Sequence, residues 1–137
     1  MKRVFVTGTF DMLHSGHITF LMKAAEYGDV FVGIGSDYSI SKYKGKGPVC
    51  TQSERLFMVH SIRYVKDVWI NSGEGPLDFI DDLEHIKPDI HICNEEQHSE
   101  ERKRICEELD IEYIVLKRDT IKGLPQRSTT KYRQYIT

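Results

Sequence analysis

The stretch Val4-Phe5-Val6-Thr7-Gly8-Thr9-Phe10-Asp11-Met12-Leu13-His14-Ser15-Gly16-His17 decides how the rest of the chain is read. Val4 to Val6 is an apolar run, the mark of a strand covered on both faces, and Gly8 closes it. Ile18, Leu21, Met22 and Ala25 then recur at helical spacing as far as Gly28. A turn between such a strand and a helix carries unpaired backbone N–H groups and the positive end of the helix dipole. Gly8 is read as the residue that lets the backbone bend and come close to a ligand. His14 and His17, three apart at the mouth of the helix, can donate hydrogen bonds to phosphate oxygens. Gly16 then leaves room for a nucleotide against the helix start. The competing reading is two surface histidines with Ser15 as an ordinary helix cap. A zinc site lacks third and fourth ligands at suitable spacing. Position directly after the first strand favours phosphate.

The pattern repeats outward from there. Val30 to Ile34 reads as a second strand ending at Gly35-Ser36-Asp37, and Val68 to Ile70 as a third. Between them a helix starts at Thr51, which with Glu54 makes a capping box ahead of Leu56, Val59 and Ile62. Pro76 is suited to a first helical turn and opens a helix bearing Phe79, Leu83 and Ile86, stopped by Pro88. Ile90 to Cys93 makes a fourth strand, Ser99 to Leu109 a charged helix, and Tyr113 to Leu116 a fifth strand. Ser128 can cap a short last helix. Apolar strands alternating with helices predict an α/β domain: a single doubly wound, Rossmann-like, five-stranded parallel sheet with helices on both faces. Its ligands bind beyond the carboxyl ends of the strands, where strand order reverses.

The 137 residues are 39% apolar and 29% charged, with 19 basic against 21 acidic side chains and a formal charge of −2. That length predicts one domain over residues 1–137. The charge balance argues against a broad basic surface for nucleic acid, but leaves space for a small basic pocket. Cys50, Cys93 and Cys106 form no Cys-x-x-Cys pair, so reduced thiols are expected rather than disulfides or a zinc knuckle. No apolar stretch reaches signal-peptide or membrane-span length, which predicts a soluble cytoplasmic protein without a membrane partner.

Gly8-Thr9-Phe10-Asp11 with His14-x-x-His17 resembles the signature of the cytidylyltransferase-like nucleotidyltransferases, a branch of the HIGH-motif superfamily. Glu54-Arg55 with Ser61-Ile62-Arg63-Tyr64-Val65 looks like that family's central helix. Arg118 followed by Ser128-Thr129-Thr130-Lys131 looks like its late Arg…Ser-Thr-Thr-Lys segment. The resemblance implies attack by a phosphate monoester on the α-phosphorus of a nucleoside triphosphate, with release of pyrophosphate. Such a nucleophile is already ionised near neutrality, its second pKa being about 6, so no general base is required. The protein must align anionic groups and stabilise added charge, which suits His, Lys, Arg and backbone N–H groups.

On this resemblance His14 and His17 hold the triphosphate and its transition state, with His17 nearer the α-phosphate, while Thr9 and Phe10 cradle the nucleotide through their backbone. Lys42, Lys44 and Lys46 lie on a basic segment with glycines that can close over phosphates. Lys44 is the favoured phosphate ligand, Lys46 the alternative, and a solvated loop the bland reading. Arg55 and Arg63 project within about 80° of each other on a helix and are assigned to the acceptor phosphate or the triphosphate. Arg63 could instead complement its helix C-terminus. Arg118 ends the fifth strand. Ser128 and Thr129 offer hydroxyls and a second helix start, a cap being compatible with that role. Mg²⁺ is expected to travel with the triphosphate and to need few protein ligands. Asp11 is read as orienting the His14 loop rather than binding that ion.

Two departures bear on substrate. Cys93-Asn94-Glu95-Glu96 stands where the family commonly has Gly-Asp, so Asn94 or Glu95 would read the base edge. The segment from Arg118 to Ser128 is longer than usual, and Arg127 adds a charge that could meet a more anionic acceptor. The expectation is a homodimeric enzyme moving CMP from CTP to a small phosphorylated alcohol or sugar resembling glycerol 3-phosphate. The alternatives are an ATP-dependent adenylyltransferase acting on heptose phosphate, FMN or phosphopantetheine, and a nucleotide-binding sensor without catalysis. Trp69 and the tyrosines serve either a dimer interface or the core.

Overall fold

The computed structural model describes residues 1–118 and 123–135. Among these, five strands alternate with helices: β1 (Arg3–Gly8), α1 (Ser15–Ala24), β2 (Asp29–Ile34), α2 (Asp37–Lys44), α3 (Gln52–His60), β3 (Val65–Ile70), α4 (Ile80–Ile86), β4 (Ile90–Asn94), α5 (Glu100–Glu108), β5 (Glu112–Leu116) and α6 (Thr129–Tyr135). All strand pairs are parallel, in the order β3-β2-β1-β4-β5. The chain therefore winds outward on one side of β1 and returns to build the other side. This is the doubly wound α/β fold that the alternation of strands and helices predicts. Its crevice lies beyond the carboxyl ends of β1 and β4.

Period-two alternation assigns each strand residue to one of two layers. Val4 and Val6 share one face with Val30, Val32, Ile34, Ile90 and Ile92, and against it pack Leu21 and Ala24 of α1 and Val59 of α3. Phe5 points the other way, into a cluster with Phe79, Leu83 of α4, Cys106 of α5 and Ile111. Trp69 stacks on Phe5 with ring centroids 5.8 Å apart, which makes it a core residue. Cys93 and Cys106 are buried free thiols, and Cys50 is a partly buried one. Among the described residues no helix is long and apolar enough to cross a membrane.

Two elements differ from expectation. Ser41 to Lys44, read as part of a loop, is the last half of α2. Ser36 caps that helix by accepting from Ser39 N at 3.0 Å, and Gly45 ends it in the left-handed region at φ 81°. The expected helix from Pro76 begins only at Ile80, because the 76–79 turn is closed by Gly73 N donating to Asp78 O at 3.0 Å. It ends as expected before Pro88, with Lys87 in the left-handed region (φ 49°) that a proline neighbour tolerates better than a helical turn.

Candidate active site

A cavity of about 430 Å³ opens at the crevice. Its walls come from the β1 end and the turn after it (Thr7 to Asp11), the first turns of α1, Lys44 and Lys46, the β4 and β5 ends, and Ser128 to Arg133. It gathers the cations Lys23, Lys44, Lys46, Lys117, Arg118 and Arg133 against the acids Asp11 and Glu96. The near-neutral chain therefore concentrates positive charge at one strand-end site, as an anionic ligand requires.

At its centre the two histidines cap α1. His14 is the N-cap residue, and its Nδ1 accepts from Gly16 N at 3.1 Å. His17 Nδ1 accepts in turn from His14 N at 3.2 Å, and the rings stack with centroids 3.9 Å apart. Ser15 is not the cap. Because each Nδ1 receives a backbone N–H, each neutral ring carries its proton on Nε2 and donates from there. Burial, followed by the neighbouring His14 and Arg118, drives His17 down to about 3, with Asp11 opposing. Burial, then Arg118 and Arg127, also lowers His14. Both rings are neutral at pH 7, so the positive charge of the site belongs to Lys and Arg.

Two glycines also have packing roles. Gly16 lines the cavity, and a Cβ on it would stand 2.9 Å from His14 Cε1, so it makes room for the capping imidazole as well. A Cβ on Gly8 would meet the Phe10 ring at 3.1 Å. The left-handed residues of this turn are Phe10 (φ 53°) and Met12 (φ 48°), so Gly8 supplies room for a ring and not the bend itself. Two such residues store of order 1–3 kcal/mol each, a cost borne where surrounding bonds over-determine the backbone. Here they do. Thr7 O accepts from Gln97 Nε2 at 2.7 Å and Gly8 O from Gly35 N at 3.1 Å. Thr9 O accepts from Arg55 Nη1 at 2.8 Å and Asp11 O from Thr129 Oγ1 at 2.9 Å. Four carbonyls of this turn are thereby satisfied by donors from two helices, α3 and α6, and from the turns after β2 and β4.

Lys44 lines the cavity, with Nζ 3.5 Å from Thr9 Oγ1, and its ammonium is held below the usual lysine value by partial desolvation and then by Arg133. Lys46 lines it too, whereas Lys42 pairs with Glu74 at 2.8 Å. Ser128 Oγ caps α6 by accepting from Lys131 N at 3.2 Å, and Ser128 and Thr129 both line the cavity. Arg118 forms an ion pair with Glu96, and its backbone N–H donates to Glu95 Oε1 at 3.1 Å. Asn94, Glu95, Glu96 and Arg118 also line an adjoining recess of about 180 Å³.

Three arginines depart from expectation. Arg55 is 1% exposed, and its guanidinium is spent on protein: Nε on Cys50 O at 3.1 Å, Nη1 on Thr9 O and Gly35 O at 2.8 Å each, and Nη2 on Asp37 at 2.7 Å. It clamps the site's backbone and is not directed at a ligand. Arg63 lies outside the cavity, exposed, donating to Tyr64 Oη at 2.7 Å and stacked on that ring. The expectation of a shared helical face fails because α3 ends at His60 with Ser61 as its C-cap, so Arg63 lies in the turn that leads into β3. The Arg127 side chain does not line the cavity; its carbonyl accepts from Arg118 Nη2 at 3.1 Å and its charge acts on His14. Residues 119–122 of the long segment fall outside the described residues.

Other cavity residues escaped the sequence reading. Arg133 lines the cavity and pairs with Asp11 at 2.8 Å; standing four residues after Thr129, it shares that residue's face of α6, which was the available signal. Gln97 is held between Thr7 O and a reciprocal pair of bonds with Asn94. It lies in an uninterrupted polar run that no periodicity resolves. Lys23 follows Gly16, Thr19 and Phe20 down one stripe of α1 and carries the cavity along the helix.

A reversed-order parallel sheet with such a crevice defines a doubly wound α/β domain with an anion-binding site at its switch point. The model of the cytidylyltransferase-like family matches residues 5–135, and the chain belongs to that family: it is a nucleotidyltransferase. It is 33% identical over 139 residues to the FAD synthase of Pyrococcus horikoshii, covering 98% of this chain and 92% of that one. It is 39% identical over 93 residues to the bifunctional protein HldE of Helicobacter pylori, covering 66% of this chain but only 19% of that protein. A solved lipopolysaccharide core biosynthesis protein from Thermoplasma volcanium superposes with a TM-score of 0.71 at 25% identity, over 89% of this chain and 99% of that one. Enzymes of this family bind a nucleoside triphosphate and a small phosphorylated acceptor.

Proposed function

We propose that the enzyme is an ATP-dependent adenylyltransferase and that FMN is its acceptor, with FAD and pyrophosphate as products. The observation that carries this reading is the similarity to an FAD synthase along nearly the whole of both chains. The expectation of CTP and glycerol 3-phosphate has less support, since the relative matched along nearly its whole length is an FAD synthase. In the proposed reaction a phosphate oxygen of FMN bonds to the α-phosphorus of ATP. The bond from that phosphorus to the bridging oxygen breaks, and its electron pair leaves with pyrophosphate. Charge is conserved without a proton, so no residue need act as a base.

The chain's own groups serve alignment and charge. The Nε2–H donors of His14 and His17 meet oxygens of the α-phosphate, and act as neutral donors that strengthen as charge builds. Lys44, Lys46, Arg118 and Arg133 neutralise the triphosphate, and Ser128 and Thr129 add hydroxyl donors at the start of α6. Asn94 and Glu95 remain candidates for the base edge. Mg²⁺ fits as part of the substrate: among the described residues no group of three His, Cys, Asp or Glu converges to hold a metal, and the Asp11 carboxylate already accepts from three donors. The ion supplies charge neutralisation on the triphosphate. A homodimer is part of the same reading, supported by Phe57 (70% exposed) and Met58 on α3, the helix that packs on edge strand β3.

The test is pyrophosphate release by the purified chain with ATP or CTP, each against FMN, glycerol 3-phosphate, heptose 1-phosphate and phosphopantetheine. ATP with FMN is expected to give the highest kcat/KM. A preference for CTP, or for another acceptor, overturns the assignment while leaving the family untouched. Sedimentation tests the dimer.

A further inference from the structure

We propose that Asp11 is a positioning residue that joins the two walls gripping the triphosphate. Through it, the strap carrying Lys46 and the helix carrying Thr129 and Arg133 take up their closed spacing as one unit. The inference rests on the proposed function in taking Mg-ATP as the occupant.

A carboxylate inside an anion-binding crevice is electrostatically misplaced unless its charge is consumed. Asp11 is 2% exposed and its oxygens are bound from both sides. Oδ2 accepts from Val49 N at 2.7 Å and Oδ1 from Cys50 N at 2.9 Å, which fixes the end of the strap that starts at Gly45. Oδ2 also accepts from Arg133 Nη2 at 2.8 Å, and the Asp11 carbonyl accepts from Thr129 Oγ1, so α6 is held to the same residue. These partners lie 38 and 39 residues away on one wall, and 118 and 122 on the other. The side chain is presented between two left-handed residues, Phe10 and Met12, a conformation that needs such cross-bracing to persist. The charges of Asp11 and Arg133 both act on the Lys44 ammonium, so the junction reaches a phosphate ligand as well. One carboxylate thus links the spacing of two walls. Loosening either side of it must loosen the other.

Two measurements test this on the full chain. In the first, amide hydrogen exchange is followed without nucleotide in wild type and R133Q. Although Asp11 still accepts the Val49 and Cys50 amides in the variant, their exchange is expected to quicken by roughly tenfold or more, the scale of a lost charge-assisted bond. Wild-type rates at both amides overturn the proposal. In the second, D11N is expected to raise the KM for Mg-ATP by roughly tenfold or more, while kcat and the acceptor KM change by less than about threefold. A loss confined to kcat, or equal rises in both KM values, overturns it. The exchange arm needs no nucleotide. It therefore stands if D11N does not fold, and it separates failure of the junction from failure of the ATP assignment.

Discussion

A neutral imidazole is a modest donor, and His14 and His17 act in the proposed reaction through placement rather than charge. Each ring has one nitrogen committed to the helix start, so the other has little freedom of direction. Replacing either by Ala is expected to lower kcat by roughly 10²–10³ with the fold retained, read by pyrophosphate release and circular dichroism. The lysines offer a sharper contrast. K44A is expected to cost about tenfold or more in kcat/KM, whereas K42A, which removes an exposed pair with Glu74, should stay within about twofold in the same assay. Part of this was readable: the turn after β1 follows from sequence position, while the late Ser-Thr-Thr-Lys and Lys44 came from the family resemblance, and Lys44, Ser128, Thr129 and Thr130 do line the cavity. What could not be read was which nitrogen of each histidine remains for the ligand. That depends on the cap geometry, and a sequence does not disclose that a histidine rather than Ser15 caps α1.

Helix starts organise the site, and they are where element-scale changes should act. G16A forces a methyl to within 2.9 Å of the His14 ring, so the ring must leave its cap. We expect a stability loss of about 1 kcal/mol, the usual worth of an N-cap, in urea denaturation, with kcat falling as far as in the histidine variants. Helix α3 is fastened through Arg55, whose replacement by Met strands the carbonyls of Cys50, Thr9 and Gly35 and takes the ion-pair partner from the half-exposed Asp37 carboxylate. Leaving such acceptors without donors costs about 1–3 kcal/mol, and a denaturation midpoint near wild type would contradict the clamp. The N-cap at Thr51, which accepts from Glu54 N at 3.2 Å, was legible because it is local, although the return bond of a full capping box is not formed. Helix α2 was not, because only Ser39 and Ile40 of its residues are buried and its apolar period is too thin to see. Its signals were Ser36, Asp37 and Gly45, all at the ends. Arg55 and Arg63 show the reverse problem: an angle around a helix is simple to count, but it holds only within the helix, and α3 ends at His60, before Arg63.

For the molecule as a whole, the buried histidines set the response to acid. His17 and His91 are both driven to about 3, chiefly by burial, and His14 is lowered as well. Between these values and 6.5 the unfolded chain takes up protons that the folded one refuses, so stability falls as pH drops below 6.5. Asp78, pushed up to about 6 by burial, acts with the opposite sign between 3.8 and 6, one group against three. Urea midpoints are therefore expected to be flat from pH 8 to 7 and to decline toward pH 4.5, with H91N flattening the decline. The doubly wound parallel sheet followed from alternation and handedness, since right-handed crossovers leave few arrangements. The register of the site did not, because it joins residues far apart in the chain. That separation has a consequence for biosynthesis. Asp11 leaves the ribosome early, but its partners Thr129 and Arg133 are made 118 and 122 residues later. A nascent chain can pair β1 with β2 long before it can hold a nucleotide. Under the proposed function, ligand can therefore protect from unfolding or proteolysis only a chain in which α6 has already been made.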